Sequence, residues 1–97
     1  MSRDSAPTDH PALISVIVPV YNESATIEEL LKRLHGARFD KEIIIVDDCS
    51  TDGTREILKQ ETGIVYLQHD HNIGKGAAIR TGIRYATGDV IIIQDAD

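Results

Sequence analysis

Asp95 and Asp97 sit one residue apart, directly after the apolar run Val90-Ile91-Ile92-Ile93. Two carboxylates just past the C-terminal end of a buried strand suit a hard divalent cation and the phosphates it bridges. Oxygen-only ligands favour Mg2+ or Mn2+ over zinc. Acidic residues also follow strands in ordinary turns, so the pair gains weight only from its company. Asp47-Asp48 ends another apolar run, Ile43-Ile44-Ile45-Val46. A carboxylate there can accept from a ribose hydroxyl or a base N–H. Asp48, Ser50, Thr51 and Asp52 equally stand where helix N-caps belong, and Gly53 eases the turn. We favour function for Asp48, because the strand end needs only one cap. Pro19-Val20-Tyr21-Asn22-Glu23 leaves a third run. Its tyrosine and acid can flank a nucleotide base and bond its edge or ribose. Alone, it reads as well as a turn with Glu23 at a helix N-terminus, where negative charge is favourable.

Asn72-Ile73-Gly74-Lys75-Gly76 opens a helical pattern, and glycines with a lysine at a helix start look like phosphate binders. The dinucleotide fingerprint would need a third glycine where Ile79 stands, and a P-loop would need Ser or Thr where Gly76 stands. Neither motif is present, although Lys75 could reach a diphosphate. His69 and His71 flank Asp70 without zinc-site spacing or cysteine partners, and read as polar loop residues. Cys49 follows two acidic residues, which would raise a thiol pKa, so a nucleophilic role is not expected. Tyr66 and Tyr85 read as packing residues at helix–sheet edges.

Four apolar runs must position these groups, alternating with three helical patterns. The strands are expected at Ile14 to Pro19, Glu42 to Asp47, Ile64 to Gln68 and Asp89 to Gln94. The second and fourth are continuous β-branched runs, which imply burial on both faces, as in a parallel sheet covered by helices. The first helix is expected from about Ser24 to His35, with Ile27, Leu30, Leu31 and Leu34 as its apolar stripe. Thr26 and Glu29 have capping-box spacing, Ser24 is an equal N-cap candidate, and Gly36 is a natural C′ residue. The second helix is expected from about Asp52 to Glu61. The third, from about Lys75 to Ala86, carries a small-residue face of Ala78, Ile79, Gly82, Ile83 and Ala86.

The order β-α-β-α-β-α-β makes about one mononucleotide-binding half of a doubly wound sheet. Right-handed crossovers give spatial order 3-2-1-4, with the first and fourth strands adjacent. Ligands bind at the switch point between their C-terminal ends. Tyr21-Asn22-Glu23 and Asp95-Ala96-Asp97 would face each other there, with Asp47-Asp48 one strand along.

The chain's 97 residues suit one small domain or part of a larger one. A net charge of −6 argues against nucleic acid as partner, since phosphate neutralisation needs a basic patch. The single cysteine allows no internal disulfide and fits a reducing compartment. No stretch approaches the roughly 18 apolar residues of a membrane span. The polar start, with Pro7 and Pro11, is not a signal peptide, and residues 1–12 read as a disordered lead-in. Asn22-Glu23-Ser24 then matches the glycosylation pattern by chance.

Taken together, the segments from Ile17 to Glu23, Val46 to Thr54, Asn72 to Ala78 with Arg80 and Gly82, and Asp95 to Asp97 resemble inverting family 2 glycosyltransferases of GT-A fold. The dolichyl- or polyprenyl-phosphate mannosyl- and glucosyltransferase branch is most similar. The resemblance implies a Rossmann-like half of a GT-A fold, with residues 13–97 as an incomplete nucleotide-sugar-binding part. Pro19, Tyr21 and Glu23 would line the nucleotide site, Val46 and Asp48 would contact the base, and Lys75 and Ala96 would complete the donor site. Asp95 and Asp97 match the DXD motif as catalytic residues and as holders of Mg2+ or Mn2+, with Asp97 the direct ligand and Asp95 nearer the ribose and sugar. The implied reaction moves a hexose from a GDP- or UDP-sugar to a lipid-linked phosphate, at the cytoplasmic face of a membrane. Members of the family continue well past this motif. The 97-residue chain is therefore expected to be inactive alone, to keep an open side on its fourth strand, and to self-associate.

Two other readings compete. One is a module that binds a nucleotide or nucleotide-sugar without transferring it. The other is a flavodoxin-like signalling receiver, whose acidic pair would follow the first strand; here it follows the second.

Overall fold

The computed structural model describes residues 12–96. The lead-in assigned to residues 1–12 falls almost wholly outside the described residues, and so does Asp97. Four strands and three helices alternate along the chain: β1 (Ile14–Val20), α1 (Ile27–Gly36), β2 (Lys41–Asp47), α2 (Thr54–Lys59), β3 (Val65–Gln68), α3 (Lys75–Tyr85) and β4 (Val90–Ile93). They form one parallel sheet in the order β3-β2-β1-β4, as the crossover argument requires.

Side chains alternate between the sheet's faces, which divides the core in two. Val16, Val18 and Val20 of β1, with Ile43 and Ile45 of β2, pack beneath Ile27, Leu31 and Leu34 of α1 and Leu58 of α2. Ile44 and Val46 of β2 pack against Ala78 of α3, with Leu67 of β3 beside them. α3 can lie this close because it presents small residues. A Cβ added to Gly82 would stand 2.5 Å from Cγ2 of Ile17, inside van der Waals contact. The face expected from Ala78 and Gly82 is therefore the buried one, whereas Ile83 is exposed.

Several expectations are corrected. β4 is not buried on both faces: Val90, Ile91, Ile92 and Ile93 are 46%, 42%, 39% and 43% exposed. β4 pairs only with β1, so among the described residues its other side has no neighbour, which is the open side expected of the fourth strand. α1 begins at Ile27, and neither Ser24 nor Thr26 caps it through a side chain. The Thr26 hydroxyl instead donates to the carbonyl of Ala96 at 2.8 Å, tying the start of α1 to the chain beyond β4. Gly36 is the last residue of α1, and Ala37 leaves it in extended conformation, so no left-handed C′ glycine is used. α2 is shorter than expected and starts after Gly53, whose φ is +101°.

Glu42 locks the opposite end of the sheet. It accepts from the hydroxyl of Ser15 and from both the backbone N–H and the hydroxyl of Thr87. These bonds, that from Ser15 foremost, hold its carboxyl below the usual range.

Candidate functional site

Strand alternation decides which polar groups meet. Ile44 and Val46 face α3, so Asp48, two residues on, faces it too. Asp47 pairs in register with Gln68, and the N–H of His69 bonds the carbonyl of Asp47 at 2.8 Å. His69 therefore stands beside Asp48 on the α3 face. Ile17 pairs with Ile93, and the N–H of Gln94 continues that ladder to the carbonyl of Ile17. Two residues past Ile93, Asp95 reaches the same face and forms an ion pair with Lys75 at the start of α3.

Asp48, Lys75 and Asp95 line one cleft of about 240 Å3 at the C-terminal ends of β1, β2 and β4. Pro19, Tyr21, Glu23, Asp48, Lys75, Asp95 and Ala96, all singled out in the sequence, line it together with Val20 and Ala78. Tyr21, at the rim, is 45% exposed. Val46 does not line the cleft. It is fully buried against Ile44 and Ala78, so its side chain supports the floor from below. Asp97 lies outside the described residues, and with it the metal-ligand and catalytic expectation placed there. Among the described residues no three His, Cys, Asp or Glu side chains gather as a metal cluster.

Asp48 is the most heavily bonded carboxylate of the cleft. Oδ1 accepts from Nδ1 of His69 at 2.8 Å and from the N–H of Ile73 at 3.0 Å. Oδ2 accepts from the N–H of Gly74 at 2.8 Å. Burial would raise its pKa, but these bonds outweigh burial and hold the carboxyl below its ordinary value. Asp48 is thus an anchor for the loop before α3, not a cap for α2. Gly74 meets it with φ +104°, a conformation that side-chain-bearing residues rarely adopt. No side chain caps α3, and a helix N-terminus at a cleft favours an anion.

Asp47 points to the other face. It accepts from the N–H of Ser50 and from the hydroxyl of Tyr66, both at 2.9 Å. Tyr66 is more than a packing residue: burial first, then the Asp47 carboxylate, push its phenol well above the ordinary range. The loop after β2 braces the loop after β1. Ser50 accepts from the N–H of Asn22, Thr54 from that of Glu23, and Asp52 from that of Ser24. Asn22 returns a bond by accepting from the N–H of Thr51 at 2.7 Å. Ser50 and Asp52 therefore hold the cleft's rim in place. Bonds from Thr54 in particular keep Asp52 far below the usual carboxylate range. Asn22 and Cys49, at φ 53° and 69°, make the two turns that leave β1 and β2.

His69 reads in the sequence as a polar loop residue and Thr81 is not singled out there, yet the structure ties both to Asp48. Nε2 of His69 bonds Oγ1 of Thr81 at 2.9 Å. The available signal was spacing. Leu67 and His69 share a strand face, and Thr81 follows Ala78 by three residues on α3.

An order 3-2-1-4 parallel sheet with a cleft at its switch point defines a doubly wound α/β half. The chain belongs to glycosyl transferase family 2, whose family model matches residues 15–97. It is 38% identical over 93 residues to an undecaprenyl-phosphate 4-deoxy-4-formamido-L-arabinose transferase of Pseudomonas fluorescens, covering 87% of this chain and 27% of that protein. Among solved structures it resembles a mannosyltransferase of Pyrobaculum calidifontis in complex with GDP-Man and Mn2+, with TM-score 0.84 and 32% identity over 91% of this chain and 28% of that one. It also resembles residues 1–349 of TarS from S. aureus in complex with UDP, with TM-score 0.81 and 34% identity over 87% of this chain and 27% of that one. The chain thus spans little more than a quarter of each of these three proteins. Among the described residues no helix is long and apolar enough to cross a membrane.

Proposed function

We propose that residues 13–97 are the donor-binding part of a glycosyltransferase that moves a sugar from a GDP- or UDP-sugar to a lipid-linked polyprenyl phosphate, with inversion. One observation carries this reading. Glu23, Asp48, Lys75 and Asp95, drawn from four separate segments, line a single cleft at the switch point of the sheet. The relatives' names support the class of acceptor. The sequence resemblance implies a hexose, whereas the Pseudomonas relative's name carries an arabinose derivative, so the sugar is left as a glycosyl group. Such an acceptor brings the whole protein to a membrane surface, at its cytoplasmic face in this reading.

The roles follow from the chemistry of the side chains. Asp48 is an acceptor for a base N–H or ribose hydroxyl, Tyr21 offers a stacking face, and Lys75 offers a cation to the diphosphate. Glu23 stands at the rim, where a ribose hydroxyl can be met. The donor set fits a hard cation. Asp95 is a half-exposed carboxylate, and Mg2+ and Mn2+ take one or two protein carboxylates and fill the rest of their shell with phosphate and water. Asp95 and Asp97 would hold the ion, which when bound would offset charge on the leaving diphosphate. The acceptor phosphate can itself be the nucleophile, which leaves no need for a side-chain base.

Calorimetric titration of the chain with GDP and with UDP, each with and without Mn2+, tests the reading. Cation-dependent binding of one nucleotide, lost in Asp95→Ala and Asp97→Ala, is the expected result. A folded sample that binds neither nucleotide refutes it.

A further inference from the structure

Behind the cleft, the end of β2, the end of β3 and the middle of α3 are joined by one hydrogen-bonded chain, Asp48–His69–Thr81. We propose that His69 is a positioning residue for Asp48, fixing the carboxylate so that one defined acceptor position is left for the nucleotide. The proposal rests on the donor-binding reading of the cleft.

A carboxylate has about four acceptor positions on its two oxygens. The N–H of Ile73 and Nδ1 of His69 take both positions on Oδ1, and the N–H of Gly74 takes one on Oδ2. A single position on Oδ2 remains, on a side chain that lines the cleft. The two backbone donors belong to one loop and bond one oxygen each. His69 is the side-chain donor, and it approaches from a different strand. Without it, each oxygen keeps one bond, both from the loop before α3, and nothing from β3 opposes a shift of the carboxylate with that loop, so the remaining acceptor position is less firmly fixed.

His69 can serve this role because it is itself held at both ends. Its side chain is 13% exposed and that of Asp48 is 5% exposed. Asp48 is ionised and can only accept, so Nδ1 carries the proton. In the neutral ring Nε2 is then the acceptor, and the Thr81 hydroxyl donates to it. The ring is thereby locked in one tautomer and one orientation, and α3 carries that constraint to the floor of the cleft through Thr81 and Ala78.

The test is nucleotide affinity, measured calorimetrically with UDP and GDP plus Mn2+, on the wild-type chain and on His69→Leu, His69→Asn and Thr81→Val. His69→Leu removes the donor and is expected to weaken binding about tenfold or more, equivalent to about 1.4 kcal/mol. His69→Asn keeps a side-chain N–H near the Nδ1 position and is expected to stay within about threefold of wild type, although it too loses the bond to Thr81. A purely structural role predicts the opposite pattern, with both variants losing affinity in proportion to their loss of stability. That pattern, or unchanged binding in His69→Leu, overturns the proposal and leaves the donor-binding reading standing. A wild-type chain that binds no nucleotide overturns both. If His69→Leu does not fold, nitrogen NMR of the wild-type imidazole and Thr81→Val decide. A proton on Nδ1 at neutral pH, with weakened binding in Thr81→Val, supports the role; a ring protonated on Nε2 alone overturns it.

Discussion

Replacing Asp48 by asparagine should destabilise the fold by about 2–4 kcal/mol, although the change is nearly isosteric. The native carboxylate accepts three hydrogen bonds at 2.8, 3.0 and 2.8 Å. An asparagine has one acceptor oxygen. Keeping it toward His69 and Ile73 preserves two bonds and turns the amide N–H groups toward the N–H of Gly74. The reverse orientation leaves two donors facing the amide, so the first is adopted. One buried N–H is then unsatisfied, at about 1–3 kcal/mol, and the two surviving bonds lose their charge assistance, at roughly 0.5–1 kcal/mol each. A smaller desolvation cost offsets part of this, but the lowered pKa of Asp48 shows that its bonds already outweigh burial. With a urea m-value of about 1–3 kcal/mol per molar, the midpoint should fall by roughly 1–2 M. The loss must also depend on pH. A carboxyl whose folded pKa is depressed stabilises the fold above its unfolded value, 3.8 for an unperturbed Asp, and that contribution is lost as pH falls through the folded value. The gap between wild type and Asp48→Asn should therefore be full at neutral pH and close in acid. Urea midpoints that coincide at neutral pH, or a gap that persists unchanged in acid, would refute the account of Asp48 as a charged anchor.

Three other substitutions test neighbouring parts of the argument. Tyr66→Phe should cost about 1–3 kcal/mol by urea unfolding, since a buried Asp47 oxygen loses its hydroxyl donor. The raised Tyr66 pKa adds an alkaline signature: its contribution is complete below about pH 10, is lost as pH rises through the folded value, and should be missing from the phenylalanine variant. Gly82→Ala should destabilise by about 1–3 kcal/mol, because the new methyl meets Ile17 at 2.5 Å and this overpacking outweighs the better helix propensity of alanine. In an Ile17→Ala background the same substitution should be neutral or favourable, and thermal melts of the four variants close that cycle. Lys75→Ala should change stability by less than about 1 kcal/mol, since its ion pair with Asp95 is exposed. It should nevertheless weaken nucleoside diphosphate binding about tenfold at low salt, with a gap that shrinks as calorimetry is repeated at higher ionic strength.

How much of this was legible in the sequence depends on whether a feature is set within one segment or between two. The lengths and β-branching of the runs around Ile17, Ile44 and Ile92 fix strands, and their alternation with helical patterns fixes the order 3-2-1-4. The small face of α3 is likewise a property of one helix. The burial of β4 was not legible in its own residues. Val90 to Ile93 has the composition of an interior strand, but exposure is decided by neighbours, and among the described residues β4 has one. The capping role expected of Thr26 failed for the same reason. Its hydroxyl finds the carbonyl of Ala96, seventy residues away in sequence, in place of the helix start.

The cleft itself divides along the same line. Asp48, Lys75 and Asp95 announce themselves as acids or bases at strand and helix ends, so residue type and position suffice to propose them. Val46 occupies the same stretch and shares a face with Asp48, but it is the nearer one to the sheet's centre and is sealed under Ala78. His69 required two further steps. The register Asp47↔Gln68 must be known before Asp48 and His69 become neighbours, and the depth of α3 on the sheet must be known before Thr81 closes on the ring. That depth is set by Gly82, which lets the helix descend onto Ile17. A residue chosen for closeness, with no chemistry of its own, thus brings Thr81 within hydrogen-bond reach of His69. The orientation of the cleft's central carboxylate is in this sense a consequence of packing as much as of polarity.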